Sequence, residues 1–358
     1  MRNIKAITAE QILRLREPEL LFSHSSALAK DEYYELARLW HPDCTSYINA
    51  SRVFSQVANL YKSAVVKLSD GTWLEPAEKI EEEVFGRKKF RLKRGSRIKT
   101  IEYSTVRAFE LGIMYIGEHA ATFEIALPFE DLFYNGIRHM SSFKYHDRAM
   151  AVEISSSLPQ IEERFETNCS FVVVLRKTPE QLLLADVLRH HAHRLPRAEH
   201  CGWILNCLFN LCCYMQWAGL THNAIASTTV FIAPRRHTCA LLGGWWYAAP
   251  VNTRLLALPE SECEYIPADI ARDGSADSRS DLDLVRAIGR ELLGNKPGVQ
   301  LSLNRFLPRV LVDWLALPSE GSAVHDYCQW KNEVLRASFG EPKFVELKVD
   351  STNLYKEV

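Results

Sequence analysis

No apolar run in the 358-residue chain approaches the roughly 18 residues needed to cross a bilayer, and the first thirty residues set charges among their apolar positions. Neither a membrane span nor a signal-peptide core is expected, and the chain reads as cytoplasmic. An excess of charge is also missing. Forty-three Lys and Arg against 44 Asp and Glu leave a formal net charge of -1, so no global field recruits nucleic acid or an anionic surface, and such a partner would need a local patch. The nine cysteines are odd in number, form no CxxC pair, and include Cys207, Cys212 and Cys213 inside an apolar stretch. That argues against a disulfide framework and for reduced, buried thiols. His190, His191, His193, His200 and Cys201 lie close in sequence but lack zinc-ligand spacing, and a solvated loop running into a packed helix explains them. No metal and no cofactor is expected. Internal repeats and low-complexity tracts are absent too.

What is present is enough apolar residue, 47%, to bury more than one core, and the length fits two or three folding units. Residues 8–22 begin with Thr8 as a possible N-cap and keep helical spacing to Pro18. Tyr33, Leu36, Ala37 and Trp40 fall at i, i+3, i+4 and i+7, and Pro42 ends that helix at His41. From Ala50 to Val65 the pattern repeats with Phe54, Val57, Leu60, Tyr61 and Ala64, so two helices face each other as a hairpin. Residues 69–73, SDGTW, punctuate the chain. Between Lys89 and Glu163 short alternating runs predict a sheet-forming region, and residues 171–175, FVVVL, predict a buried strand. Helices dominate from Pro179 onward, notably over 199–218 and 280–293.

The spacing Tyr33, Leu36, Ala37, Trp40, His41-Pro42-Asp43, then Phe54, Val57, Leu60 and Tyr61, resembles the second and third helices of a J domain. The tripeptide alone is common; its place between two amphipathic helices is what makes it informative. Proline stiffens the loop while His41 and Asp43 offer hydrogen-bonding and charge-pairing groups to a partner. The resemblance implies that His41, Pro42 and Asp43, with Lys30 and Arg38 on the preceding helix, address a DnaK-type Hsp70 and stimulate its ATPase. One departure weakens that docking: Asp31, Glu32 and Glu35 outnumber the two basic residues of the helix.

The remainder resembles a protein kinase stripped of its chemistry. Leu220-Thr221-His222-Asn223-Ala224 through Thr229 to Ile232 is similar to a catalytic loop of HRDxxxxN type, with Ala224 at the catalytic Asp and Thr229 at the metal-binding Asn. Gly243 stands at the magnesium-binding Asp of DFG, residues 265–269 with Asp269 are similar to the APE segment, and Ser280-Asp281-Leu282 begins the long buried helix. Alanine and glycine cannot hold Mg²⁺ or orient a hydroxyl, so the resemblance implies a pseudokinase. In place of Val-Ala-x-Lys the nearest segment is Ala121-Thr122-Phe123-Glu124, and Glu110-Leu111-Gly112 to Gly117 is a thin counterpart of a phosphate loop.

The expected fold is multidomain α+β: a J-like helical hairpin over 1–68, a linker over 69–84, and a two-lobed kinase-like domain with a β-rich N-lobe over 85–178 and an α-helical C-lobe over 179–345. A C-terminal tail follows over 346–358. The expected function is Hsp70 co-chaperone with a non-catalytic kinase-like module for an unknown client. An atypical kinase using Asp281, Asp283 or Glu124 is the enzyme alternative, and an adaptor with a vestigial J domain is the structural one. Eight basic residues from Arg87 to Lys99 form a weak nucleic-acid candidate, more simply a hairpin with a solvated face. Trp245-Trp246-Tyr247 is expected to pack across the vacated nucleotide pocket.

Overall fold

The computed structural model describes residues 9–355 apart from 16, 24, 43–44, 46–49, 71–72, 74–85, 94–96 and 342. Asp43, the Thr8 cap, nearly all of the expected linker and the turn at 94–96 therefore lie outside the described residues. The chain divides into two compact units, Met1–Val84 and Phe85–Val358.

The first unit is helical. Its elements are α1 (Ala9–Arg14), a 3-10 turn (Pro18–Leu20), α2 (Ser26–Leu39) and α3 (Ala50–Ser69). The apolar stripes predicted from spacing meet in one core: Leu36 of α2 and Val53, Val57, Leu60 and Ala64 of α3 close on Ile12, Leu21 and Phe22. Tyr33 stacks on Tyr61 at 4.3 Å between ring centroids, which fixes the hairpin register. Lys67, late in α3, reaches both Glu17 and Glu19 at 2.8 Å. Helix α2 stops before Pro42, as the residue preceding a proline requires.

In the second unit β1 (Arg87–Arg91) and β2 (Ile98–Glu102) pair as an antiparallel ribbon. A five-stranded antiparallel sheet follows, in the order β3-β4-β5-β7-β6, from β3 (Thr105–Phe109), β4 (Gly112–Ile116), β5 (Ala120–Ala126), β6 (Ile161–Glu166) and β7 (Ser170–Arg176). Alternation assigns its faces. Ala121, Phe123 and Ile125 point into the main core, and Phe90, Ile101, Tyr115 and Val172 form a smaller core where the ribbon covers the other face.

The sheet expectation over 89–163 needs one correction, because α4 (Glu130–Met140) and α5 (Arg148–Ile154) sit inside it. Phe133, Ile137 and Met140 recur at helical spacing behind an acidic first turn, and tertiary packing on that face overrides the surrounding alternation.

The rest is mainly helical: β8 (Leu182–Leu183), α6 (Leu184–His190), α7 (His200–Trp217), β9 (Leu220–Thr221), β10 (Val230–Ala233), β11 (Thr238–Leu241), β12 (Ala249–Pro250), α8 (Ala268–Asp273), α9 (Ser278–Leu292), α10 (Arg309–Ala316), α11 (Ala323–Gln329), α12 (Leu335–Phe339) and α13 (Ser351–Tyr355). Helix α7 is apolar almost all round and therefore central. Arg286 of α9 is buried, lies 4.2 Å from the Trp314 ring centre and pairs with Asp326 at 3.0 Å, so its charge is compensated on two sides. The expected tail is packed: Leu347 and Val349 are buried, and the Leu183 N–H donates to the Tyr355 hydroxyl at 3.1 Å. No helix among the described residues is long and apolar enough to cross a membrane.

A Cβ at Gly112 would lie 2.0 Å from the Glu124 carbonyl oxygen across the β4–β5 ladder. Gly112→Ala is expected to cost about 2–4 kcal/mol in denaturant unfolding of the full chain. A change within about 0.5 kcal/mol would contradict this register.

Candidate functional site

Between the sheet and the helices of the second unit the sequence-predicted motif residues meet around one loop. The segment 222–229 leaves β9 with Asn223 at φ 61, a left-handed conformation that Asn tolerates. Asp281, in the first turn of α9, holds this bend by accepting the N–H of His222 at 2.8 Å and of Asn223 at 2.7 Å. Asn223 Nδ2 then donates to Thr221 Oγ1 at 2.9 Å and to the Tyr247 carbonyl at 3.0 Å.

His222 is fully buried and its ring is held at both nitrogens. Nδ1 accepts the Ala224 N–H at 3.3 Å, so Nε2 carries the proton and donates to the Gly243 carbonyl at 3.0 Å. Burial lowers its pKa to about 3, in keeping with this neutral tautomer. Burial pushes Asp281 up to about 7 against the pull of its two N–H donors. Thr229 Oγ1 accepts the Ala226 N–H at 3.0 Å and donates to the Ala224 carbonyl at 2.8 Å, closing the loop on itself. A Cβ at Gly243 would meet the Thr229 backbone at 3.3 Å, and one at Gly244 would meet His222 Cε1 at 2.6 Å. His222, Ala224, Thr229, Gly243 and Asp281 thus form one cluster. Asp269 lies apart from it, paired with Arg279 at 2.8 Å.

Above the loop sits a cavity of about 240 Å³ lined by Phe109, Met114, Phe123, Ala224, Thr229 and Trp246, among others. Trp246 stacks on Phe109 at 5.5 Å and meets Phe123 edge-on at 5.0 Å, and Tyr247 also lines the cavity, whereas Trp245 departs from the expectation: its ring meets Phe143 and His222 and its Nε1 donates to the Leu241 carbonyl at 2.8 Å. Among the described residues no Lys, Arg or His lines the cavity. Glu110, at the tip of the β3–β4 hairpin, also lines it. The Glu110 carboxylate accepts the Tyr247 hydroxyl at 2.9 Å and the N–H groups of Ser261 at 2.7 Å and Glu260 at 3.1 Å. Partial burial pushes the Glu110 carboxyl up, but these donors together outweigh it and hold it below the usual range.

The acids considered for an atypical enzyme are otherwise engaged. Glu124 faces away from the cavity, where it accepts the Tyr115 hydroxyl at 2.8 Å and Ser170 Oγ at 2.9 Å. Strand alternation gives the cavity side of β5 to Phe123 instead. Asp283 accepts the Ser319 N–H at 2.7 Å. Among the described residues no group of His, Cys, Asp or Glu is arranged to hold a metal ion, the His190 to Cys201 set included.

Sequence reasoning missed Asn135 and Gly136 of α4. Asn135 Nδ2 donates to the Trp246 carbonyl at 3.0 Å and the Ala248 carbonyl at 2.8 Å, and a Cβ at Gly136 would come within 3.2 Å of the Trp246 backbone. It missed the partly buried pair of Glu262 with Lys296 at 2.8 Å as well. No local signal marks these residues, since their partners are remote in sequence.

In the first unit His41 is half-buried at the end of α2 and meets Phe54 edge-on at 5.3 Å, while Pro42 is exposed. Lys30, Tyr34 and Arg38 are exposed at successive i+4 positions of α2. Glu32 is turned back to accept the Ser23 N–H at 2.6 Å, which leaves Asp31 and Glu35 as the exposed acids of that helix.

No family model matches the chain, and no curated protein matches it. Among solved structures it is similar to the structure of vaccinia related kinase 3, with a TM-score of 0.47 and 12% identity over 71% of this chain and 91% of that one.

His222 gives a pH signature. The unfolded histidine takes a proton near 6.5 and the buried one only near 3, so its contribution is complete above 6.5 and is lost as pH falls toward 3. Asp281, raised in the fold, acts in the opposite sense, so the His222 share is read against His222→Gln. Between pH 7 and pH 5 the wild type is expected to lose about 2 kcal/mol more than the variant. Parallel pH curves from denaturant unfolding would contradict a neutral, locked imidazole.

Proposed function

We propose that residues 85–358 form a protein-kinase-like body that binds partners and does not transfer phosphoryl groups. The observation that carries this is the cavity lining, in which, among the described residues, no cationic side chain faces the space a nucleotide triphosphate would need. The strand order, with α4 inserted between β5 and β6, and the Asp281-held loop support the kinase-like reading. Ala224, Thr229 and Gly243 at the acid and amide positions support the absence of transfer, as does Trp246, which packs on Phe109 and Phe123 beside the cavity. With a saturating ligand at about 100 times its dissociation constant, a true ATP site would add about 2.7 kcal/mol of stability. The melting temperature of the full chain with ATP is expected to be the same with and without Mg²⁺. An upward shift that depends on Mg²⁺ would overturn the proposal.

For the first unit the reading favoured by the antiparallel α2–α3 hairpin with His41-Pro42 at its turn is recruitment of a DnaK-type Hsp70. Lys30 and Arg38 share an exposed face of α2 that runs toward His41, which supports a docking surface. The acidic Asp31 and Glu35 beside them favour a weak, short-lived encounter. Purified full chain is expected to raise the steady-state ATPase rate of such an Hsp70 several-fold, and His41→Gln is expected to abolish the effect with its helical circular dichroism intact. A wild-type chain that leaves the basal rate unchanged would remove this reading while leaving the first proposal standing.

A further inference from the structure

Away from the cleft, a groove of about 700 Å³ lies between α7, the β10–β11 turn, α12 and the segment following α12. That size is within the range of small-molecule sites. Trp203 and His237 line the groove, and Phe344, between the lining residues Lys343 and Val345, ends their stack at its edge. His237 is stacked against Trp203 at 4.8 Å and 3°, and against Phe344 at 4.1 Å and 10°, while Phe344 stays 68% exposed. An exposed phenylalanine in a ready-made stack presents a π-face to a further planar ring. The lining also includes Lys331 and Asn332, both exposed, on a π-helical turn, Trp330–Val334. Such turns are rare and recur at functional sites.

The rim is cationic. Arg197, Lys331, Arg336 and Lys343 face Glu199 and Glu341. The pairs Arg197 with Glu199 at 2.6 Å and Arg336 with Glu341 at 2.9 Å are largely exposed and hold little energy, so both guanidinium groups can be recruited by a stronger anion. Lys331 lies 5.8 Å from the Tyr327 ring centre, and neither it nor Lys343 makes an ion pair among the described residues. The basic ribbon at 87–99 differs in this respect, since Arg87, Lys93 and Lys99 are paired with Glu102, Glu166 and Glu163.

We propose that this groove binds a nucleotide unit, its base stacked at the groove's edge on the exposed Phe344 ring and its phosphate held by Lys331 and Lys343. The recognised chemistry is a planar base joined to a phosphate. A free mononucleotide and a stretch of single-stranded nucleic acid both offer it. The site is independent of the cleft and needs no Mg²⁺.

The test uses the full chain in Mg²⁺-free buffer, titrated separately into a labelled single-stranded dT oligonucleotide of about twelve residues and with unlabelled AMP as ligand or competitor. Binding that weakens as salt rises is expected, with Lys331→Glu/Lys343→Glu lowering affinity about tenfold or more and Phe344→Ala lowering it several-fold. All three side chains are exposed, so unchanged thermal unfolding of the variants checks their fold. Tight oligonucleotide binding with weak AMP binding assigns the site to single strands, and the reverse assigns it to free nucleotide. The proposal is overturned if neither ligand binds, if the double variant binds as the wild type does, or if polyglutamate competes as well as the oligonucleotide, since stacking would then have no share.

Discussion

A buried carboxylate organises the second unit. Asp281 is 3% exposed and gives its two oxygens to the successive N–H groups of His222 and Asn223. Removing either partner would leave polar groups unsatisfied in a dry interior, which costs more than the bonds themselves contribute. From this pin the contacts spread outward: His222 to the Gly243 carbonyl, Asn223 to the Tyr247 carbonyl, Thr229 across its own loop. A loop, a strand end and a helix start thereby keep fixed positions although none of them is long enough to hold itself.

The same economy of polar groups joins sheet to helices. Asn135 satisfies two carbonyls of the Trp246–Ala248 segment, Gly136 lets α4 approach its backbone, and Trp246 fills the interval against Phe109 and Phe123. Glu110 closes the hairpin tip over Tyr247 and Ser261. The cavity that remains is mainly apolar and is lined without cations among the described residues. The groove of Trp203, Lys331 and Lys343 lies apart from it.

How much of this the sequence discloses follows from the range of each interaction. Helices α2, α3, α7 and α9 and strand β7 are written in local periodicity and are legible. So is the grouping of His222, Ala224, Thr229, Gly243 and Asp281, which motif spacing alone brings together. Helix α4 is hidden by alternating neighbours, and the facing of Glu124 against Phe123 depends on a one-residue register that no pattern in a short strand fixes. Asn135 and Glu110 are illegible for a stronger reason: their partners lie 111 and 151 residues away. Asp269 is a motif match whose side chain simply pairs with Arg279 at a partly exposed corner.

Amide hydrogen exchange tests the central claim that the buried Asp281 carboxylate locks the bend after β9. The amides of His222 and Asn223, bound by Asp281, are expected to exchange as slowly as the interior amides of α9, through global unfolding of the unit. Exchange of these two amides on the timescale of exposed loops, with α9 still protected, would mean that the bend opens freely and would contradict the account.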